Sequence, residues 1–363
     1  MIDSPARRHD NKVSIERLGD FADRIDVRSP AEFADDHVPG AESHPVLDDG
    51  ERARIGTMHA NESAFAAKRA GAAVVARNIA SMLEASFAQK PRDWAPLVYC
   101  WRGGQRSRSL VHVLNEIGWR AAQLDGGYRA YRRRIVQRLA DFPGRYRYQV
   151  ICGLTGSGKS RLIGALAEEG AQALDLEAMA RHRGSLLGDL PDRPQPTQKS
   201  FDSHLIQALE RLDPSRPVYV ESESRKIGTV QLPDALLDAM RAAECIRVVL
   251  PRPLRVALLK NEYAHFFDDL EALSARLERL VPIYGKQAIA RWIDAARAGD
   301  WDTLVSELLA THYDPMYRRS IDRNFPRIAD AIDVEPSAIA DGAFRALARE
   351  LDARMRERVT AQA

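Results

Sequence analysis

The sequence of 363 residues contains only three cysteines, Cys100, Cys152 and Cys245. Three scattered thiols exclude a disulfide framework and a cysteine-rich zinc site, and they fit a reducing compartment. No long uncharged apolar run occurs, so no membrane span is expected. The opening "MIDSPARRHDNKVS" lacks the apolar core of a secretory signal, and a cytoplasmic location is expected. Aromatic residues are sparse at 7%, and the net charge is only +2. Nucleic-acid binding cannot be read from that total and would need a local patch. Internal repeats, long low-complexity tracts and an "NKxD" guanine-reading motif are also lacking. What is present is 45% hydrophobic and 29% charged, enough for two globular domains with cores of their own.

Strands and helices alternate along the first half. A short strand is predicted at Ile25 to Val27, followed by a short acidic helix and a "HVPGA" turn. A long helix follows around "AFAAKRAGAAVVARNIASMLEASFAQ", then a strand at "APLVYC" and an amphipathic helix at "SRSLVHVLNEIGW". "RAAQLDGGYRAY" adds a strand and a glycine turn. The second half opens on the strand "YQVICGL", with further strands at "AQALDLE", "PVYVES" and "CIRVVLP". From about Pro253 onward the pattern is helical, without strand runs. This order predicts an α/β protein. A first domain with a parallel sheet covers residues 12–137, and a linker 138–146. A P-loop α/β domain covers 147–330, and a helical tail 331–363.

"VYCWRGGQRS", residues 98–107, puts Cys100 at the end of a strand and a glycine loop at the start of a helix. Free backbone N–H groups and the helix dipole at such a place lower a thiol's pKa and cradle anions. Gly103 and Gly104 let the backbone approach closely, and Arg102 and Arg106 would add charge-assisted hydrogen bonds. An inert, buried strand-end cysteine is the plainer reading, but a packed core position would not need these neighbours. Two chemistries fit: sulfur or selenium transfer on the thiol, and phosphate-ester hydrolysis, since Cys100 and Arg106 have C-x5-R spacing. Cysteine phosphatases usually carry a histidine just before the cysteine, where this chain has Tyr99.

"GLTGSGKS", residues 153–160, is a full G-x-x-x-x-G-K-[ST] match between an apolar strand and a helix. Gly153, Gly156, Ser157, Gly158 and Lys159 are expected to hold a diphosphate, with Ser160 placed for Mg²⁺. Glu221 and Glu223, at a strand end, and Asp175 and Glu177, after another strand, are candidates for the metal or for an acid, Glu221 and Asp175 foremost; a solvated carboxylate is the alternative. The proline-rich stretch from His182 to Leu205 is expected to be a lid or binding loop, in which His182 and Arg183 would reach an anion; a plain surface loop is the equal alternative.

"DVRSPAEFADDHVPGA" carries Asp26, Arg28, Glu32, His37, Pro39, Gly40 and Ala41 in an order that resembles the rhodanese (sulfurtransferase) family. A rhodanese-like half with "CWRGGQRS" followed by a P-loop half resembles the tRNA 2-selenouridine synthase family. "LDGGYRAYRR", "HRGSLLG", "QPTQKSFDS" and "ESESRKIG" add to that resemblance, over about residues 12–320. It implies a transferase that replaces the sulfur of wobble 2-thiouridine in tRNA by selenium. An S-geranyl intermediate forms on the way, with geranyl diphosphate and selenophosphate as substrates and no tightly bound cofactor. Cys100 matches the family's essential cysteine and is expected to deliver selenium, with the 102–106 loop gripping selenophosphate. The geranyl donor's diphosphate is assigned to the P-loop on chemical grounds, with Mg²⁺ helping it leave.

A selenophosphate-producing enzyme would act upstream, and the anticodon region of tRNA is the macromolecular partner. Arg129, Arg132, Arg133, Arg134 and Arg138 are candidate phosphate contacts, with Tyr128 and Tyr131 as stacking platforms. A solvated helix face is the alternative. Three other functions are weighed: a P-loop kinase or ATPase fused to a sulfurtransferase, a cysteine-dependent phosphatase, and a non-catalytic RNA-binding module.

Overall fold

A computed structural model describes residues 11–362 except residue 186 and residues 191–192. The first ten residues of the N-terminal stretch, and three positions of the 182–205 segment, lie outside the described residues. The chain divides into two compact units, one ending at Arg138 and the other starting at Leu139.

The first unit is built on five short parallel strands: β1 (Lys12–Val13), β2 (Arg24–Asp26), β3 (Ala41–Ser43), β4 (Leu97–Tyr99) and β5 (Ala122–Leu124), in the order β1-β5-β4-β2-β3. The helices are α1 (Pro30–Asp35), α2 (Asp49–Asn61), α3 (Ala64–Met82), α4 (Gln105–Ile117) and α5 (Gly127–Asp141). Ser29 and Glu32 close a capping box at the start of α1, where Pro30 takes the first helical position. The long apolar pattern becomes α3 plus a π-helical turn, Leu83–Phe87, whose wider winding buries Phe87. The core joins Ile25 and Val98 of the sheet to Val74, Ile79, Leu110 and Leu114 of the helices.

The second unit carries the strands β6 (Arg147–Cys152), β7 (Gln172–Leu174), β8 (Pro217–Glu221), β9 (Lys226–Ile227), β10 (Val230–Gln231), β11 (Glu244–Val248) and β12 (Ile332–Val334). Its main sheet is parallel, in the order β12-β11-β6-β8-β7, and β9 and β10 form a separate hairpin. The helices are α6 (Lys159–Glu168), α7 (Leu176–Ala180), α8 (Gln198–Glu210), α9 (Asp234–Ala242), α10 (Arg252–Glu262), α11 (Leu270–Glu278), α12 (Val281–Arg297, broken at Gly285), α13 (Trp301–Leu308), α14 (Asp314–Asn324) and α15 (Asp341–Gln362).

Several short elements were not read from the sequence, β12 and α8 among them. β12 is an edge strand in the region expected to lack strands. Its three residues put a charge at the centre, Asp333, which pairs with Arg247 of β11 at 2.7 Å. α8 starts inside the stretch read as a loop, because Thr197 caps it by accepting the Ser200 N–H. The last helix, α15, completes the core around β6 and α6: Phe344, Ala348, Leu351 and Met355 join Ile151, Leu162 and Leu166.

Candidate active sites

In the first unit, β4 ends one residue before Cys100 and α4 begins at Gln105, so the intervening loop curls round the sulfur. Sγ accepts hydrogen bonds from the Gly104 N–H and the Ser107 hydroxyl, each at 3.2 Å. Gln123 of β5 holds this arrangement by donating to Ser107 Oγ (2.7 Å) and to the Gly104 carbonyl (3.0 Å). The "DGG" turn closes the loop from the other side: the Tyr128 and Arg129 N–H groups donate to the Cys100 and Trp101 carbonyls. Gly127 has φ +56°, and a Cβ there would lie 2.5 Å from the Gly103 nitrogen, so only glycine fits.

Two features correct the open anion cradle expected from the sequence. Cys100 is 3% exposed, because it also belongs to the core cluster under the sheet's end. Arg106 is already paired with Glu32 at 2.9 Å, and Arg52 shares that carboxylate. Burial acts to raise Glu32, but the hydrogen bond and charge of Arg106, with Ser29 and Arg52, outweigh it and hold the carboxyl below its usual range. Arg102 remains exposed, and Gly103 turns with φ +64°. The other rhodanese-type residues form the loop's support. Arg28, 1% exposed, pairs with Asp26 at 2.7 Å and lies 3.9 Å from the Tyr128 ring centre. Tyr99, where a phosphatase would have histidine, is fully buried and accepts the Val38 N–H.

In the second unit, β6 delivers Gly153 and α6 starts at Lys159. Gly156 and Gly158 take φ +75° and +87°. The loop is fixed from below by Arg255, which donates to the Thr155 carbonyl (2.8 Å) and is held by Asp314 (2.5 Å). Tyr317 accepts the Gly153 N–H at 3.1 Å, and its ring centre lies 4.8 Å from Lys159 Nζ. Lys159 also donates to the Gly153 carbonyl at 2.9 Å. Ser157 is buried, with an Oγ that has no hydrogen-bond partner among the described residues.

This loop borders a cavity of about 370 Å³ lined by Lys159, Ser160, Asp175, Glu177, Glu223 and Tyr317, with His182 and Arg183 on its wall. Burial lowers Lys159, but Tyr317, Glu177, Glu223 and Glu221 outweigh it and keep the ammonium above its ordinary range. Burial raises Asp175, Glu177, Glu221 and Glu223, and for the three glutamates nearby carboxylates add to the effect. Glu223 is pushed up to about 8.

Ser160 Oγ donates to Glu177 at 2.8 Å. Hydroxyl and carboxylate oxygens side by side suit a hard cation such as Mg²⁺ that is held mainly by substrate phosphates. No group of three or more His, Cys, Asp or Glu among the described residues is arranged to hold a metal by itself. Of the acids singled out from sequence, Asp175 caps α7 and lines the cavity together with Glu177 and Glu223. Glu221 does not line it: it is fully buried and accepts the Leu176 N–H at 3.0 Å. Tyr317 and Arg255 were not singled out from sequence. Glu223 lies inside the quoted "ESESRKIG". That motif and "QPTQKSFDS" are joined in space: Gln195 bonds to the Ile227 carbonyl and Thr229 N–H, and Gln198 to Gln231.

On α5, Arg129 and Arg133 are exposed, whereas Arg132, Arg134 and Arg138 are half-buried; Arg134 donates to the Ile15 carbonyl at 3.1 Å. Tyr128 and Tyr131 are buried, and Tyr128 donates to Asp36 at 2.7 Å, so neither is a free stacking platform. No helix among the described residues is long and apolar enough to cross a membrane.

A strand-end thiol in a rhodanese-type loop and a glycine cradle before a helix define a rhodanese-like unit and a P-loop unit on one chain. Residues 15–134 match the family model of the rhodanese-like domain, and residues 146–276 that of the tRNA 2-selenouridine synthase AAA domain. A tRNA 2-selenouridine synthase from Nitrosomonas europaea is 37% identical over 66% of this chain and 63% of its own length. Those from Bdellovibrio bacteriovorus and Aeromonas salmonicida are 31% and 32% identical. Their alignments cover 82% and 84% of this chain, and 89% and 88% of the relatives. The chain belongs to the tRNA 2-selenouridine synthase family.

Proposed function

We propose that the chain replaces sulfur by selenium in the wobble 2-thiouridine of tRNA by way of an S-geranyl intermediate, using geranyl diphosphate and selenophosphate. In the first step the thiocarbonyl sulfur attacks C1 of the geranyl group. The C–O bond breaks, the electron pair leaves with the diphosphate, and the base gives up its N3 proton. In the second step the selenium of selenophosphate adds to C2, and the C–S bond breaks to release geranylthiol, which takes up a proton; water then cleaves the P–Se bond, phosphate leaves, the selenium stays on C2 and N3 regains its proton. Alkylation is needed because it turns a poor leaving group into a good one.

Gly156, Gly158, Lys159 and Ser160 hold the donor's diphosphate, with Gly153 and Ser157 shaping the turn. Mg²⁺ held by Ser160 and Glu177 would neutralise charge on that diphosphate. Cys100 delivers selenium, and Arg102 with the Gly103 and Gly104 backbone grips the donor's phosphate once the loop admits it. Arg106 joins only by exchanging its bond to Glu32. Arg129 and Arg133 meet tRNA phosphates, and a selenophosphate-producing enzyme supplies the second donor.

The observation that carries this reading is the presence, on one chain of this family, of a sulfur held by two donors and a lysine-bearing cavity with room for a diphosphate. The test is mass spectrometry of nucleosides from 2-thiouridine tRNA treated with each donor alone and with both. Cys100→Ala should lose selenation and keep geranylation, and Lys159→Ala should lose both. Normal geranylation by Lys159→Ala would place the diphosphate elsewhere.

A further inference from the structure

The first unit carries a groove that neither the cysteine motif nor the P-loop accounts for. It lies between the α2–α3 pair and the first turns of α4 and encloses about 720 Å³, inside the range of about 300–1,000 Å³ usual for ligand clefts. Leu47, Ile55, Gly71 and Val75 give it an apolar floor, and no aspartate or glutamate lines it. Lys68 of α3 and Arg108 of α4 line it and are exposed, and neither side chain has a carboxylate partner among the described residues. The α4 side adjoins the thiol loop: Gln105 and Arg106 line the groove, and Gly104, the residue before them, donates to Cys100 Sγ.

α3 turns Lys68, Ala72 and Val75 toward the groove, a stripe at helical spacing. Phe65, three residues before Lys68, extends that stripe. It is 74% exposed, more than any other large hydrophobic side chain among the described residues. Ser63 caps α3 by accepting the Ala66 N–H at 2.9 Å, so Phe65 stands on a fixed first turn.

We propose that this groove binds the single-stranded anticodon loop of tRNA and leads it to the Cys100 loop, with Phe65 stacking on a base and Lys68 and Arg108 meeting phosphates. The inference rests on tRNA being the substrate and names the surface that takes it. Unpaired bases of a loop can splay out, and each offers a flat π-face to an exposed aromatic ring. Free cations along a groove without acids track a phosphate backbone. An acidic protein segment would pair with the same cations but would leave the Phe65 ring in water.

The experiment is fluorescence anisotropy of the full chain with an anticodon stem-loop containing 2-thiouridine, repeated across ionic strengths. Phe65→Ala should weaken binding by about fivefold or more and keep the wild-type salt slope, because stacking releases no counterions. Replacing Lys68 and Arg108 together by alanine should weaken binding severalfold and reduce the slope by about 1.4. All three side chains are exposed, so circular dichroism and pyrophosphate binding should match wild type. Wild-type affinity in Phe65→Ala, or an unchanged slope in the double variant, would overturn the proposal. If the variants keep the stem-loop but lose polyglutamate, the groove serves an acidic protein instead. Modification of 2-thiouridine tRNA by the wild type, with unchanged binding in both variants, would overturn the groove alone. Stem-loop binding through these residues by a chain that neither geranylates nor selenates the tRNA would keep the groove and overturn the reaction.

Discussion

Glu223 faces Lys159 across the P-loop cavity and titrates at about 8, through burial first and Glu177 second. Below that value it is neutral and leaves the lysine free for an anion. Above it, a new negative charge stands beside the diphosphate. Pyrophosphate affinity should therefore fall severalfold between about pH 7 and 9, and Glu223→Gln should flatten the profile, as titration at several pH values would reveal. The folded chain keeps a proton that an unfolded glutamate has lost. This group's share of stability is thus present below the ordinary glutamate range and declines as pH rises to about 8. Cys100, Lys159 and Ser160 were legible in the sequence because their chemistry needs neighbours close in the chain. Tyr317 and Arg255 were not, since only the fold carries them to the loop. Glu221 was misjudged because β8 ends at that residue and turns its side chain under α7, leaving Glu223 to reach the cavity.

At the scale of elements, the start of α5 is built against the thiol loop. Gly127 stands at φ +56°, and a methyl group there would press on the Cys100 carbonyl oxygen and the Gly103 nitrogen. Gly127→Ala should lower stability by about 1–3 kcal/mol in thermal unfolding. It should also abolish selenation while geranylation persists; full selenation by this variant would show that the turn does not shape the loop. The alternation of strands and helices could be read directly, since parallel strands buried on both faces give short apolar runs. β12 could not be read, because an edge strand of three residues with a central aspartate has neither length nor pattern. α8 was hidden by the polar residues of its first turn, although Thr197 marked its start.

At the scale of the whole molecule, a net charge of +2 gives no general attraction to RNA, so tRNA binding must rest on local arginines. Arg129 and Arg133, four residues apart on the exposed side of α5, fit that role better than their half-buried neighbours. Replacing both by alanine should weaken tRNA binding severalfold and reduce the salt slope by about 1.4–1.8, measured by filter binding across ionic strengths. An unchanged slope would remove them from the interface. The order of the two units was plain from the order of their motifs. Phe344 of α15 presses on the P-loop, where a Cβ on Gly158 would meet its ring at 2.5 Å. During synthesis, then, the nascent chain must emerge well past its own phosphate loop before that loop gains its backing. The P-loop site matures late in translation, long after the thiol-bearing unit has emerged from the ribosome.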